Sequence, residues 1–143
     1  MPGVDSFIDT NILLYAVSTD PQEAGKAATA QNLLATANWA WSAQVAAEFI
    51  RASTAARRPA PLSLDEAERW IDIWLAFPLV AIDGPVVKEA IELARRFQIF
   101  YFDAQIISAA KLLGCSILYT EELNHGQNYA GVVANNPFQA IVP

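Results

Sequence analysis

At four places in this sequence an acid interrupts or ends an apolar run. Asp9 follows Phe7 and Ile8, Glu48 breaks residues 45–50, Asp103 follows Tyr101 and Phe102, and the pair Glu121 and Glu122 comes shortly after Leu118 and Tyr119. Each acid alone has an ordinary explanation. Asp9 suits a helix cap, Asp103 the first turn of a helix whose dipole favours a carboxylate, and Glu48 a solvated helix face. Taken together they suggest more, because four carboxylates brought to one place repel each other unless a cation lies between them. Magnesium and manganese fit that role: they are hard ions that take carboxylate oxygens and keep waters for a phosphate substrate. A metal held in this way activates water, orients it in line and stabilises a leaving oxygen, so no histidine base is required.

The chain must bring these acids together, and its pattern shows how. Residues 4–8 read as a buried strand, a short apolar run bounded by turn residues. A helix over 12–17 follows, with Thr10 and Asn11 suited to cap it. Asp20 and Pro21 open a second helix that runs to about Thr36, with Glu23 placed to reach back to the cap and Ala24, Ala27, Ala28, Gln31, Leu34 and Ala35 near one face. Residues 39–42 form a second strand with Trp39 and Trp41 on one side, and Ser42 caps a helix over 43–56 that carries Glu48. The prolines at 59 and 61 break the chain, and Ser63 with Glu66 has the spacing of a capping box. Leu64, Ala67, Trp70, Ile71, Trp74 and Leu75 then make a wide apolar stripe up to Pro78. Residues 79–82 read as a third strand, and Asp83, Gly84 and Pro85 start a fifth helix. The helix after Asp103 closes at Gly114, and residues 116–119 are a fourth strand. From Leu123 the tail reads as a loop plus a short last strand.

Strands alternating with helices predict an α/β fold with a short parallel sheet of four or five strands flanked by helices. In such a sheet, ligands bind at the carboxyl ends of the strands. Asp9 and the Glu121, Glu122 pair fall at that edge directly. Glu48, two turns into its helix, and Asp103, at a helix start, can lean into the same cleft.

Composition narrows the field. The 143 residues are the length of one domain, 1–143, and 54% are hydrophobic, enough for one core. Charged residues are only 17%, which invites a partner surface. The first twenty residues carry three aspartates and no Lys or Arg, so neither a secretory signal nor a transit peptide is expected there. No apolar run approaches the roughly 20 residues of a membrane helix. The lone Cys115 lies in an apolar strand and reads as a core residue, and the cytoplasm is the expected compartment. A net charge of −6 argues against a general phosphate-binding surface, but setting four metal-bound carboxylates aside leaves −2, compatible with a nucleic-acid substrate.

With the segments FIDTNILLYA from Phe7, SAQVAAEFI from Ser42, YFDAQIISAA from Tyr101 and LYTEELNHGQ from Leu118, continuing to NPF at Asn136, the sequence resembles the PIN-domain family. Within that family it is similar to the VapC-like ribonuclease toxins of toxin–antitoxin pairs. The segments follow the family's order and cover essentially the whole chain. The resemblance implies catalytic acids at Asp9, Glu48, Asp103 and Glu122. Asp9 and Asp103 are then the principal ligands of Mg²⁺ or Mn²⁺, and Glu122 joins them. Glu48 and Glu122 complete the shell, hold a second ion, or orient and deprotonate water. The fourth acid is usually aspartate, so the longer Glu122 reaches the metal through water or Glu121 takes its place. Thr10 and Thr120 match positions that hydrogen-bond near the site. The implied activity is metal-dependent cleavage of single-stranded or loop RNA by a homodimer, silenced by an antitoxin whose arginine blocks the acids.

Other residues remain open on the sequence. Arg51 shares a helix face with Glu48 and is either a salt-bridge partner or a phosphate contact. Arg57 and Arg58 suit a helix end or an RNA contact. His125, the only histidine, either shapes its loop or touches RNA. Tyr101 and Phe102 read as core rather than base-stacking residues, while Trp70 and Trp74 suit either a core or a partner groove. Two rival functions share these features. One is a PIN-fold module that binds RNA or a partner but has lost efficient catalysis, suggested by glutamate at 122. The other is a nuclease acting on DNA flaps, disfavoured by the lack of a basic arch or helical clamp.

Overall fold

The computed structural model describes residues 3–139, so residues 1, 2 and 140–143 of the 1–143 domain expectation lie outside it. In chain order the elements are β1 (Ser6–Ile8), α1 (Thr10–Ala16), a 3-10 turn (Pro21–Glu23), α2 (Ala24–Thr36), β2 (Trp39–Ser42), α3 (Ala43–Ser53), α4 (Leu64–Trp74), β3 (Leu79–Val80), α5 (Gly84–Phe97), α6 (Tyr101–Leu112), β4 (Ile117–Tyr119), β5 (Asn128–Tyr129) and β6 (Val132–Asn135). The strands form one sheet in the order β3-β2-β1-β4-β6-β5. Every pairing is parallel except β5 with β6. The α/β reading is therefore what the chain forms. The sheet has six strands rather than four or five because the tail folds into an antiparallel hairpin. Its turn places Ala130 and Gly131 at φ 56° and 102°, where glycine carries no Cβ penalty.

Register fixes the site. Ser6 pairs with Trp39 on one side and Ile117 on the other, and Ile8 pairs with Tyr119. Asp9 and Thr120 therefore leave two adjacent parallel strands at the same level, and the Asp9 N–H donates to Tyr119 O at 3.1 Å.

The sheet is buried on both faces by Phe7, Ile8, Trp39, Trp41 and Leu118, all fully buried. Trp39 and Trp41 share one side of β2, with ring centroids 6.1 Å apart. Trp41 and Phe49 both meet Trp74 edge-on, and Trp74 is core while Trp70 stacks on it half-buried, lining a groove. Cys115 is buried, as expected.

Several local expectations shift. Asp9, not Thr10 or Asn11, is the N-cap of α1, because the helix begins one residue after the acid. Asp20 caps the 3-10 turn by accepting from Gln22 N, and the Glu23 carboxylate accepts from Ser18 instead of reaching back. On α2 the buried residues are Ala27 and Ala30, while Ala24, Ala28, Gln31 and Ala35 are exposed; an alanine-rich helix gives too little contrast to fix its inward face. The capping box at Ser63 forms with both its hydrogen bonds, but along α4 only Ala67 and Trp74 are buried and Leu64 and Leu75 are exposed. The third strand is two residues, and α3 stops at Ser53.

Candidate active site

Asp9 ends β1 and caps α1, and that double duty fixes its carboxylate. Oδ1 accepts from Thr10 N at 2.7 Å. Oδ2 accepts from Thr120 Oγ1 at 2.7 Å and from Asn11 Nδ2 at 3.4 Å. Thr120, fully buried at the end of β4, also accepts from Glu122 N at 3.1 Å, so one hydroxyl sets both the first acid and the backbone of the fourth. Glu48 projects from α3 and accepts from Thr10 Oγ1 at 3.1 Å. Asp103 lies in the first turn of α6. All four line one open cleft of about 310 Å³, together with Thr10, Asn11, Gln44, Arg51, Phe100 and Phe102.

The electrostatics record what this gathering costs. Burial is the main reason the Asp9 carboxyl is pushed up from 3.8 to about 7; the Thr120 hydrogen bond opposes it and the charge of Glu122 adds to it. Asp103 is also raised, first by burial and then by Glu48. Glu122 is raised by burial, then by Asp103 and Glu48. Three carboxyls held high by burial and by one another are what a cation would relieve.

The residues present fit a hard divalent ion in chemistry. The donors are all oxygen, and the buried Asn11 Oδ1 on the cleft wall has no hydrogen-bond partner. In the conformation described, no three His, Cys, Asp or Glu side chains among the described residues are set to hold one ion. Asp9 and Glu48 already spend carboxylate oxygens on hydrogen bonds from Thr10, Asn11 and Thr120.

Glu121 points elsewhere. Its Oε1 accepts from Tyr15 Oη at 2.6 Å and its Oε2 pairs with Lys26 Nζ at 3.2 Å. It lines a neighbouring hollow, not the acid cleft, whereas Glu122 lines both. Arg51 lies on the cleft wall and forms no ion pair among the described residues. Arg58 donates to Leu14 O at 3.1 Å. His125 lies outside the cleft and its Nδ1 accepts from Asn136 N at 2.9 Å, the loop-shaping role.

Sequence reasoning missed Asn11 and Gln44 as cleft residues. The spacing signals existed: Asn11 is two residues after Asp9, and Gln44 is one turn before Glu48 on the same helix face. Phe102 corrects the core expectation, being 48% exposed, while Tyr101 is half-buried and donates to Gln105 Oε1 at 2.8 Å.

Thr120→Val keeps the shape of the residue and deletes the hydroxyl that serves two acids. The expected loss is about 1–2 kcal/mol of stability with a further drop in metal affinity. Thermal unfolding and manganese titration check both; an unchanged manganese affinity excludes a positioning role.

The family model described as PIN domain matches residues 6–127. No curated protein sequence matches the chain. Among solved structures, it is similar to a toxin–antitoxin complex from Klebsiella pneumoniae, with TM-score 0.68, 18% identity, and coverage of 93% of this chain and 98% of that one. VapC20 of Mycobacterium tuberculosis, described as a sarcin–ricin loop cleaving toxin, gives TM-score 0.66 at 17% identity over 82% of this chain and 90% of its own. FitAcB from Neisseria gonorrhoeae gives 0.67 at 17% identity over 94% of this chain and 99% of its own. At these identities the likeness is one of fold.

Proposed function

The chain belongs to the PIN domain family, and from that premise we propose that it is a Mg²⁺- or Mn²⁺-dependent endoribonuclease, the toxin of a toxin–antitoxin pair. One observation carries the reading: acids from four separate elements line a single cleft beyond the carboxyl ends of β1 and β4. The description of VapC20 as a cleaver of the sarcin–ricin loop supports RNA as the substrate. Similarity to a toxin–antitoxin complex supports an antitoxin as partner. A homodimer is proposed as the working form. Such work belongs to the cytoplasm, and among the described residues no helix is long and apolar enough to cross a membrane.

In this reading Asp9, Asp103 and Glu122 hold the ion, and the buried, hydrogen-bonded Asp9 gives it a fixed anchor. When bound, the ion supplies a Lewis acid for the phosphodiester and a water of lowered pKa. Glu48 accepts a proton from the attacking water, and Thr10 Oγ1 orients its carboxylate. Arg51, on the cleft wall, meets a non-bridging phosphate oxygen. Thr10 and Thr120 act by orienting acids, while His125 shapes its loop.

The test incubates the purified chain with single-stranded RNA in Mn²⁺ and in EDTA. Cleavage in manganese that EDTA stops is the expected result. Manganese uptake without turnover rejects the nuclease in favour of the binding module.

Uptake should also depend on pH, since the ion competes with the protons on the raised carboxyls. With Asp9 at about 7, manganese affinity falls roughly tenfold per pH unit below that value, and binding at pH 6 releases about one proton. Calorimetry in buffers of different ionisation enthalpy measures the released proton, and an affinity that is flat between pH 6 and 8 contradicts the assignment.

A further inference from the structure

Two phenylalanines next to the acid cleft are turned out to solvent. Phe100 is 68% exposed and Phe102 48% exposed, with ring centroids 5.7 Å apart and planes tilted by 59°. Leaving two large aromatic faces in water within three residues is costly for a chain that needs only an α-helix start there. Neither ring fills a gap in the core. Both line a second hollow of about 640 Å³, large enough for a nucleoside, whose wall is shared with the acid cleft through Gln44, Glu48, Arg51 and the two rings themselves.

The backbone that carries the rings is held firmly. Gln44 Nε2 donates to Phe102 O at 3.1 Å, and Gln105 Nε2 donates to Gln44 Oε1 at 2.8 Å. Tyr101 meets Phe102 edge-on at 5.3 Å and bonds Gln105 through its hydroxyl. These contacts fix the start of α6 against α3, so the backbone that presents the rings is in place before any ligand arrives.

We propose that Phe100 and Phe102 form a stacking platform for one unpaired nucleobase of the RNA, next to the phosphodiester held over the acids. The placement of the phosphate rests on the nuclease reading above. The shared wall makes the geometry follow from it: a phosphate over Glu48 and Arg51 has the hollow lined by the two rings directly beside it for its neighbouring nucleoside. Every base has a π-face, so the platform selects for an unstacked base rather than for a sequence. A base paired within a duplex stays stacked on its own neighbours and cannot lie on these rings. The site therefore takes single-stranded or loop RNA and refuses a continuous duplex.

The experiment uses the full chain and a single-stranded oligoribonucleotide with 2-aminopurine beside the cut position, in Mn²⁺. Wild type is compared with F100A/F102A and with F100Y/F102Y, all checked for unchanged thermal unfolding, which the exposure of both rings leads one to expect. Stacking predicts quenched 2-aminopurine fluorescence in wild type. It also predicts a KM raised roughly 10–100-fold in F100A/F102A with kcat within about threefold, and recovery in F100Y/F102Y. If wild type cleaves and F100A/F102A keeps the same KM and quenching, the platform is wrong while the nuclease reading stands. Quenching that needs the rings, in a chain that does not cleave, keeps the platform and rejects the nuclease. No quenching with wild type rejects the platform. A sedimentation change from dimer to monomer in F100A/F102A, with RNA binding intact, assigns the face to a second copy of the chain and also overturns the proposal.

Discussion

Asp9→Asn and Asp103→Asn each reduce manganese-dependent RNA cleavage by roughly 10²–10³-fold, and metal-free Asp9→Asn protein melts higher than wild type. Both outcomes follow from the same cause. The Asp9 carboxyl is buried, and that burial, with the charges of Glu122 and Glu48, pushes it up to about 7. A carboxyl whose folded pKa is raised holds its proton more tightly in the folded chain than in the unfolded one. Its contribution to stability is complete below about 3.8 and is lost as pH rises through about 7. At pH 8, without metal, the ionised group is a burden on the fold, and asparagine removes the charge while its amide keeps an acceptor for Thr10 N. The gain is about 1–2 kcal/mol, roughly 3–8 °C in Tm. Adding Mn²⁺ reverses the order, stabilising wild type and leaving the variant unmoved. Asp103→Asn gains less, because Asp103 is only half-buried. Melting curves at pH 5 and 8, with and without manganese, check the signs. A wild type that melts higher than Asp9→Asn at pH 8 without metal contradicts the electrostatic account, and equal cleavage by wild type and both variants contradicts the nuclease.

The same residues show how much could be read without coordinates. Strand and helix order was legible because its signals are local: the runs at 4–8 and 116–119, which form strands over 6–8 and 117–119, caps at Ser42, Ser63 and Asp83, and the terminator Gly114 at φ 74°. The shared edge of Asp9 and Thr120 also followed, since parallel strands with crossover helices leave their carboxyl ends together. What local pattern could not carry was which face of a weakly amphipathic helix turns inward, hence the error on α2. Of the final hairpin, β6 answers the short last strand expected in the tail, while β5, two residues long, is too short for a period to show. The exposed Phe102 was misread for a related reason: aromatic residues at a helix start carry no mark of whether the sheet or the solvent lies opposite.

The choice between Glu121 and Glu122 was the point where sequence ran out, and here the second large effect is expected. Glu122→Gln lowers manganese-dependent cleavage by roughly 10–10²-fold, while Glu121→Gln leaves it within about threefold. The two side chains leave the end of β4 in different directions. Glu122 lines the acid cleft and is raised by burial and by the charges of Asp103 and Glu48. Glu121 is spent on Tyr15 and Lys26, and Lys26 Nζ also sits 4.8 Å from the Tyr15 ring centroid and 5.6 Å from that of Phe138. Swinging Glu121 into the cleft would leave an ammonium and a phenol without their partner. The cost is about 1 kcal/mol at this partly exposed site, and the repulsion of the four acids already in the cleft adds to it. Glu121→Gln should accordingly cost roughly 0.5–1 kcal/mol of stability and little activity. Glu122→Gln should cost activity and none of the stability, since it removes a like charge. Single-turnover cleavage and thermal unfolding of the two variants separate the roles, and a larger loss of cleavage in Glu121→Gln would exchange them.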